Sequence, residues 1–277
     1  MRRKNRGKQT LKKKMLSILL LSAMSSILAV VIVSYMTIRM IQNDGIKESM
    51  QIYLEQITRE MDSDYYDMIG IVNQMSPDGL IGSATERYLS SNDNYDRYLE
   101  QKFLREELIK LGYVNTKLLG ITYYDPKEQK ELIGNFNVRV LDPTYQTISK
   151  VVVGADNTIQ AMHDSYLGIK ETPVVSVMRR VSFGNQKMLD IYAEIEPDMS
   201  VSDQLNKEKW PYTYMEMDEN GIVQYSNNPV IVRGQKILSE LPKKEGYAVT
   251  NQEGYKIMVY RSTIGYANAI ALPENIY

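Results

Sequence analysis

An uncharged run of 24 residues, positions 15–38, is the feature that most constrains how this chain can fold. As an α-helix the run would be about 36 Å long, enough to cross a hydrocarbon layer of about 30 Å with some tilt. The apolar part of a cleaved signal peptide is shorter and ends in small residues; here Ala23 and Ala29 lie inside the run. We predict a transmembrane helix over residues 15–38, with a cleaved signal and a buried soluble helix as the alternatives.

The charges on either side of the run predict its orientation. The first 14 residues hold eight Lys or Arg and no acid, whereas Asp44 and Glu48 follow the run. Positively charged flanks of membrane helices stay on the cytoplasmic side. We therefore predict a cytoplasmic basic tail over residues 1–14, a single pass through the cell membrane, and an extracellular location for residues after about 40. The lipid bilayer is then a partner of the tail as well as of the helix.

The composition of the rest of the chain excludes several kinds of site. Its 25 Lys and Arg face 34 Asp and Glu, and an acidic surface gives no electrostatic basis for binding nucleic acid. Cysteine is absent, so no disulfide or thiol nucleophile is available. The only histidine, His163, has no second His or Cys to join in a metal site or a catalytic triad, and we expect it to be an incidental surface or loop residue. We predict no catalytic residue, no metal site and no cofactor.

Helical spacing of apolar residues continues beyond the run as far as Met75. It predicts one helix of about 60 residues, membrane segment included, that ends before the turn sequence at residues 76–79. Such a helix must bury its apolar stripe against its own domain or against a second copy. A second helix is predicted over residues 92–111, with Asn92 or Asp93 as its N-cap and Gly112 as its end.

After residue 112 the pattern becomes that of strands and turns. We predict strands over residues 118–124 and 131–135 and a long hairpin over residues 174–183 and 188–195. Residues 136–170 are less regular, with one short helix near residues 144–150. A crossing helix at residues 202–209 leads to two strands around a turn at residues 218–221, and residues 246–273 alternate strand and turn. The chain thus predicts two antiparallel sheets, the second smaller, with a break near residues 197–204.

Four stretches carry a resemblance to a known family: "LLGITYYDP" (118–126), "PVVSVMRRVSFGNQKMLDIYAEIEPDMSVSDQL" (173–205), "YTYMEMDENGIVQYSNN" (212–228) and "YANAIALPENIY" (266–277). With the basic N-terminus and the long helix, they resemble the sensor portion of Cache-domain histidine kinases. The resemblance implies an α+β fold in which one transmembrane helix continues into a long extracellular helix, followed by two PAS-like antiparallel-sheet subdomains (a double Cache). It places the long helix and a membrane-distal subdomain in residues 39–200 and a membrane-proximal one in residues 201–277.

The resemblance also implies a function. It indicates the extracytoplasmic ligand-sensing portion of a transmembrane signalling receptor, most simply a two-component sensor histidine kinase that is a homodimer in its full form. Any kinase activity would lie C-terminal to residue 277, so residues 1–277 leave open whether the protein is an enzyme. The alternatives are a membrane-anchored interaction module that binds a protein partner without signalling, and the sensor of a chemoreceptor or of a membrane-bound transcription regulator.

Candidate ligand-binding residues are polar or aromatic side chains on the predicted strands or on the loop that would cover them. They are Tyr123, Arg139, Tyr145, Arg179 and Tyr192. Arg179 lies on the more apolar side of its strand, so it needs a partner or a ligand anion if that side is buried. An ordinary ion pair is the alternative. The arginine, tryptophan and aspartate pattern of amino-acid-binding double Cache domains is not recognisable, since the only tryptophan, Trp210, falls at the predicted crossover. An amino-acid ligand is therefore not favoured, and sugars, oligosaccharides, small carboxylates and a partner protein are the candidates that stay open.

Overall fold

The computed structural model describes residues 3–136, 155–167, 173–184, 186–197, 212–238, 241–243, 245–252 and 254–273. The short helices predicted near residues 144–150 and 202–209, together with Arg139, Tyr145 and Trp210, lie outside these ranges. Contacts within the chain define two units, one over residues 1–50 and one over residues 51–274.

The first unit holds the N-terminal part of helix α1, Arg3–Met75, which is 73 residues long. The large apolar side chains over residues 15–41 are all exposed. In the part of the chain that the structure describes, this is the one helix that is long and apolar enough to cross a membrane. A helix that is apolar all round is stable when lipid surrounds it. Its length and composition agree with the predicted membrane segment.

In the second unit, α1 buries one stripe of apolar side chains. Its members recur every three or four residues and are at most 1% exposed: Leu54, Ile57, Met61, Tyr65, Met68, Val72 and Met75. This spacing places them on one face of the helix. The hydroxyl of Tyr123 donates to the Met75 carbonyl, and that of Tyr214 contacts the Met61 sulfur at 3.6 Å. The predicted packing of the long helix onto its own domain is therefore confirmed.

Among the described residues, two shorter helices follow, and one of them was not predicted. Helix α2, Leu80–Ser90, begins directly after the turn sequence that ends α1. Helix α3, Asn94–Val114, is capped by Asp93, whose side chain accepts hydrogen bonds from the backbone of the first helical turn. The predicted end at Gly112 is wrong, because the helix continues through this glycine to Val114, and Asn115 is its C-cap.

The first sheet has five antiparallel strands in the order β2-β1-β5-β4-β3. Their bounds are β1 Leu118–Asp125, β2 Lys130–Phe136, β3 Thr158–Asp164, β4 Pro173–Phe183 and β5 Lys187–Ile195. The two predicted hairpins are confirmed as β1–β2 and β4–β5. Strand β3 was not predicted and forms the edge beside β4.

The second sheet repeats this topology. Its strands are β6 Thr213–Met217, β7 Val223–Ser226, β8 Gly246–Gln252, β9 Tyr255–Arg261 and β10 Ala267–Pro273, in the order β7-β6-β10-β9-β8. Going across each sheet from one edge to the other, the strands are the second, first, fifth, fourth and third that the sheet contributes in chain order. The prediction of a smaller second sheet is wrong in strand number, since both have five. The chain therefore contains the same sheet unit twice, without a tandem repeat in the sequence.

Candidate functional site

The first sheet has one face that contacts α1 and one that is turned away from it. Tyr123 of β1 and Arg179 of β4 form hydrogen bonds with residues 73–76 at the end of α1. Side chains of neighbouring residues point to opposite faces of a sheet. Thr122, next to Tyr123, and Met178, next to Arg179, therefore point away from α1. Tyr192 pairs with both of them across the strands. Tyr192 therefore lies on the outer face.

A buried carboxyl, Glu194, lies on this outer face next to the end of the central strand β5. It is 0% exposed, and its Oε1 accepts a hydrogen bond of 2.6 Å from the Ser165 hydroxyl. Its Oε2 accepts a hydrogen bond from the Tyr192 hydroxyl, and the backbone N–H of Leu167 donates to Ser165 Oγ at 3.1 Å. Burial raises the pKa of Glu194, and the hydrogen bonds that the carboxyl accepts partly offset that rise. The carboxyl thus fixes the turn that follows β3 against β5.

Aromatic rings form the adjoining part of the same face. The His163 and Tyr166 rings stack with their centroids 4.3 Å apart, and the Tyr166 and Tyr192 centroids are 6.0 Å apart. The side-chain amide of Gln160 donates to the Tyr166 hydroxyl at 2.6 Å, while its Oε1 is buried without a hydrogen-bond partner. We call Gln160, His163, Ser165, Tyr166, Ser176, Tyr192 and Glu194 the Glu194 cluster.

The placement of His163 corrects the expectation of a surface or loop residue. It lies on β3 and is only 6% exposed. Its Nδ1 is 2.6 Å from the Asp164 carbonyl and therefore carries the proton, so Nε2 accepts from the Ser176 hydroxyl at 2.8 Å. Burial lowers the pKa of His163 to about 4, and the nearby positive charge of Arg233 adds to this effect. The imidazole is therefore neutral at pH 7.

Of the five residues predicted to bind ligand, Tyr192 lies in the cluster. Tyr123 is buried on the α1-facing side. Arg179 lies on that same side, where its guanidinium donates to the Ala155 carbonyl, to Asn73 Oδ1 at 3.2 Å and to Ser76 Oγ at 3.4 Å. These uncharged acceptors supply the partners that its position requires. Arg139 and Tyr145 lie outside the described residues.

The other members of the cluster were missed by the sequence analysis, although one signal for them was present. Asp190, Tyr192 and Glu194 occupy alternate positions of β5 opposite its apolar residues. Polar side chains at alternate positions of a central strand lie on one face, and they must find partners if that face is covered. No comparable signal marks His163 and Tyr166, because β3 itself was not recognised.

A second buried carboxyl, Glu216 of β6, links three elements. It is 0% exposed; its Oε1 is 3.3 Å from the Tyr65 hydroxyl of α1, and its Oε2 accepts from the backbone N–H of Met162 on β3 at 2.9 Å. The Tyr65 hydroxyl is also 3.1 Å from the Gln160 carbonyl. Burial raises the pKa of Glu216 to about 7, against the lowering effect of its two hydrogen bonds. This carboxyl therefore joins both sheets to the helix.

The raised pKa of Glu216 predicts a dependence of stability on pH. Its folded-state pKa of about 7 lies above the ordinary value of 4.5, so between these values the folded state holds a proton that the unfolded state has lost. The free energy of unfolding therefore decreases as pH rises through this window, by about 1 kcal/mol per pH unit. Glu216→Gln cannot titrate and should remove this slope from denaturation curves recorded between pH 5 and 7. Equal slopes for the two proteins would contradict this assignment.

The outer face of the second sheet differs in chemistry from that of the first. The segment over residues 228–238 covers it and, with the sheet, encloses a cavity of about 230 Å³. The core beneath is apolar and is built from Met215, Met217, Val223, Leu238, Ile257, Val259, Ala267, Ala269 and Ala271. The buried polar cluster is thus a property of the first sheet's outer face.

Comparisons with known proteins bear on the fold. No protein-family model and no curated protein sequence matches this chain. The extracellular domain of soHK1S-Z6, a protein assigned as a histidine kinase, is 10% identical over 84% of this chain and 96% of that chain, with a TM-score of 0.51. The periplasmic sensory domain of the Campylobacter jejuni chemoreceptor Tlp1 is 12% identical over 83% and 97%, with a TM-score of 0.50. The sensor domain of the V. cholerae histidine kinase DctB is 13% identical over 84% and 98%, with a TM-score of 0.49.

The architecture and the structural likeness agree with the predicted fold. A long N-terminal helix carries an apolar segment and packs, in its second part, against two five-stranded antiparallel sheets of equal topology. The extracellular domain of soHK1S-Z6 and the periplasmic sensory domain of Tlp1 each match over more than four fifths of this chain. The chain has the α+β double Cache sensor fold.

Proposed function

We propose that this chain is the extracytoplasmic ligand-sensing part of a transmembrane signalling receptor, with the Glu194 cluster as the floor of its ligand site. One observation carries the proposal: seven polar or aromatic residues converge on the face of the first sheet that is turned away from α1. Burying polar groups costs free energy, and apolar side chains on this face would stabilise the fold at least as well. A set of buried polar and aromatic residues therefore indicates a binding site rather than a purely structural core. The double Cache sensor fold supports the same interpretation.

The chemistry of the cluster suggests which ligands would bind. None of its seven residues is Lys or Arg, so a ligand carboxylate would find no cation within the cluster. Gln160 offers an unpaired acceptor, and half-buried Ser165 and Tyr166 offer hydroxyl groups. These groups suit a small uncharged molecule with hydroxyl or amide groups, such as a sugar. An amino acid remains disfavoured.

A series of contacts leads from the cluster to the long helix. The Tyr166 hydroxyl accepts from the Gln160 amide, and the carbonyl of the same Gln160 is 3.1 Å from the Tyr65 hydroxyl on α1. A ligand that displaces Tyr166 would therefore change the contact between β3 and α1. The resulting shift of α1 is limited by the ligand's differential affinity for the two states, commonly about 1–3 kcal/mol. We propose that this shift is the signal.

The receptor class and topology are further parts of the proposal. We propose a two-component sensor histidine kinase, homodimeric in its full form, with its N-terminus in the cytoplasm and its kinase encoded beyond residue 277. A chemoreceptor is the second candidate, since sensor domains of both classes share this fold. The basic residues before the apolar segment support the orientation.

A ligand screen with one matched pair of variants tests the proposed site. The full chain in lipid nanodiscs is heated with a panel of sugars and other neutral metabolites, and a true ligand at 100 times its Kd should stabilise the folded state by about 2.7 kcal/mol. Tyr166→Ala should abolish that stabilisation, because it removes a stacked ring from the cluster. Tyr113→Ala, at a tyrosine that is 81% exposed on α3, should leave it unchanged. The proposed site would be refuted if no compound in the panel stabilised the natural chain. It would also be refuted if a ligand stabilised the natural chain, Tyr166→Ala and Tyr113→Ala equally.

A further inference from the structure

A second cavity, of about 340 Å³, lies between the two sheets beside α1. Strand β3 of the first sheet lines one side of it, and β6 with the following turn lines the other. Tyr65 of α1 and Tyr266, whose rings pack edge to face at 5.4 Å, complete the lining on the helix side. This cavity is distinct from the Glu194 cluster, with which it shares Gln160.

Glu216 provides the main polar group of this cavity. Its Oε2 accepts one hydrogen bond from the Met162 N–H, and its Oε1 is 3.3 Å from the Tyr65 hydroxyl, whose single hydrogen is shared with the Gln160 carbonyl at 3.1 Å. A carboxylate oxygen can accept two hydrogen bonds, so the carboxyl has capacity left. Within the described ranges, no Lys, Arg or His forms an ion pair with it. A buried carboxylate without a cation is unfavourable, so the site gains most from a positively charged ligand.

The rest of the lining suits a small organic cation. Asp218 and Glu219 also line the cavity, against one opposing charge, Arg233. The tyrosine rings can interact favourably with an ammonium group through their π-systems. Ile159, Met217 and Ile264 add apolar surface for a short hydrocarbon chain.

We propose that the cavity between the sheets binds a small primary amine as its ammonium cation, with Glu216 as the carboxylate that accepts its hydrogen bonds. Such a ligand would hold β3, β6 and α1 together, because Glu216 already contacts all three. This site is additional to the proposed ligand site on the Glu194 cluster and does not depend on it.

The proposal predicts a specific dependence of affinity on pH. Glu216 must lose its proton to bind the ammonium group, so binding below pH 7 releases about one proton. The titratable groups around it are Tyr65 of α1, Tyr214 of its own strand, Tyr225 of β7 and Tyr266 before β10, all with raised pKa values and neutral at these pH values. Arg233, Asp218 and Glu219 are the charged side chains that line the same cavity. Two further acids face these tyrosines, Asp62 of α1 near Tyr65 and Tyr266 and Asp164 of β3 near Tyr225, while the Met162 backbone N–H of β3 donates to Glu216 itself.

Calorimetry on the full chain in nanodiscs tests this with n-butylamine as the probe. The affinity should increase by up to tenfold per pH unit between pH 5.5 and 7 and then level off. Titrations at pH 6 in two buffers of different ionisation enthalpy should show the release of about one proton. n-Butanol and butyrate, which have the same chain without the ammonium group, should bind at least tenfold more weakly. Absence of butylamine binding, or binding without proton release at pH 6, would overturn the proposal.

Two variants of the lining and one control variant locate the site. Glu216→Gln should reduce butylamine affinity at pH 7.5 at least tenfold, whereas Glu106→Gln, on the exposed side of α3, should not change it. Arg233→Gln should strengthen binding about twofold, because it removes the one opposing charge from the lining. Unchanged affinity in Glu216→Gln would refute the assignment of this carboxyl. If Glu216→Gln does not fold, the proton release measured on the natural chain still decides the question.

Discussion

Replacing Met68 with alanine is expected to lower the free energy of unfolding by about 2–5 kcal/mol. Met68 lies in the middle of the buried stripe of α1 and is 0% exposed. The substitution removes three heavy atoms from a packed interior, and the resulting cavity cannot close fully around a helix held on two sheets. Chemical denaturation of the full chain in detergent, followed by tyrosine fluorescence and circular dichroism, measures the change.

The matched control lies two residues away on the same helix. Tyr66 is 54% exposed, so Tyr66→Ala removes a larger side chain with little loss of buried contact. We expect its effect to stay within about 0.5 kcal/mol. Equal losses for Met68→Ala and Tyr66→Ala would show that this face of α1 is not the buried one, and the packing of both sheets on α1 would then be wrong.

A methyl group at Gly82 should be almost as costly, at about 2–4 kcal/mol. Helix α2 passes so close to the end of α1 that a Cβ at this position would overlap the carbonyl of Ser76 and crowd that of Met75, at 2.9 Å. Both contacts are with backbone, which cannot move aside as a flexible side chain would. Denaturation of Gly82→Ala under the same conditions measures the loss.

At Gly70 the same substitution by alanine should stabilise the protein instead of destabilising it. Gly70 lies inside α1, and a Cβ there would meet nothing within 4 Å. Alanine has the higher helix propensity, so Gly70→Ala should raise the free energy of unfolding by about 0.5–1 kcal/mol. A loss in Gly70→Ala as large as that in Gly82→Ala would contradict the close approach of α2 to α1.

The elements that could be predicted from sequence are those with an uninterrupted pattern. The stripe from Leu54 to Met75 keeps helical spacing through the whole second part of α1. Strand β4 is long and rich in β-branched residues, and a short turn joins it to β5. In these segments the local preference and the tertiary packing agree. The helix and both predicted hairpins of the first sheet are therefore confirmed.

The elements that were missed have interrupted patterns. In β3 the pairing register shifts between Gln160 and His163, and such a bulge breaks the alternation of apolar and polar residues that marks a strand. Helix α2 has only 11 residues and contains Gly82, which lowers its helix propensity. Gly112 failed as a helix end because a glycine that remains helical gives the same sequence signal as one that ends a helix.

The candidate site was harder to predict than the fold for a physical reason. All eight residues of β1 are buried, so burial does not distinguish the two faces of this strand. Tyr123 on the α1-facing side and Tyr192 on the outer side are both fully buried tyrosines on central strands. Arg179 has an unusual position for a charged residue, but the end of α1 supplies its partners. Which face receives the helix is a tertiary property, and it decides which of these residues can meet a ligand.

Two of the buried carboxyls, Glu194 and Glu216, attach strand β3 to its neighbours. Glu194 fixes the turn after β3 to β5, and Glu216 fixes β3 to β6 and α1. Strand β3 therefore lies between the proposed ligand site and the proposed amine site, and its Gln160 contacts both Tyr166 and Tyr65. A change at either site would be transmitted to α1 through the same strand.

Labelling in intact cells tests the receptor account most directly. Because the natural chain has no cysteine, Asn5→Cys and Tyr113→Cys each introduce a single thiol. A membrane-impermeant maleimide should label Tyr113→Cys in intact cells, or after permeabilisation of an outer membrane where one is present, and should label Asn5→Cys only after the cytoplasmic membrane is broken. Protection of Tyr113→Cys until the cells are lysed would place the sheets in the cytoplasm and contradict the account.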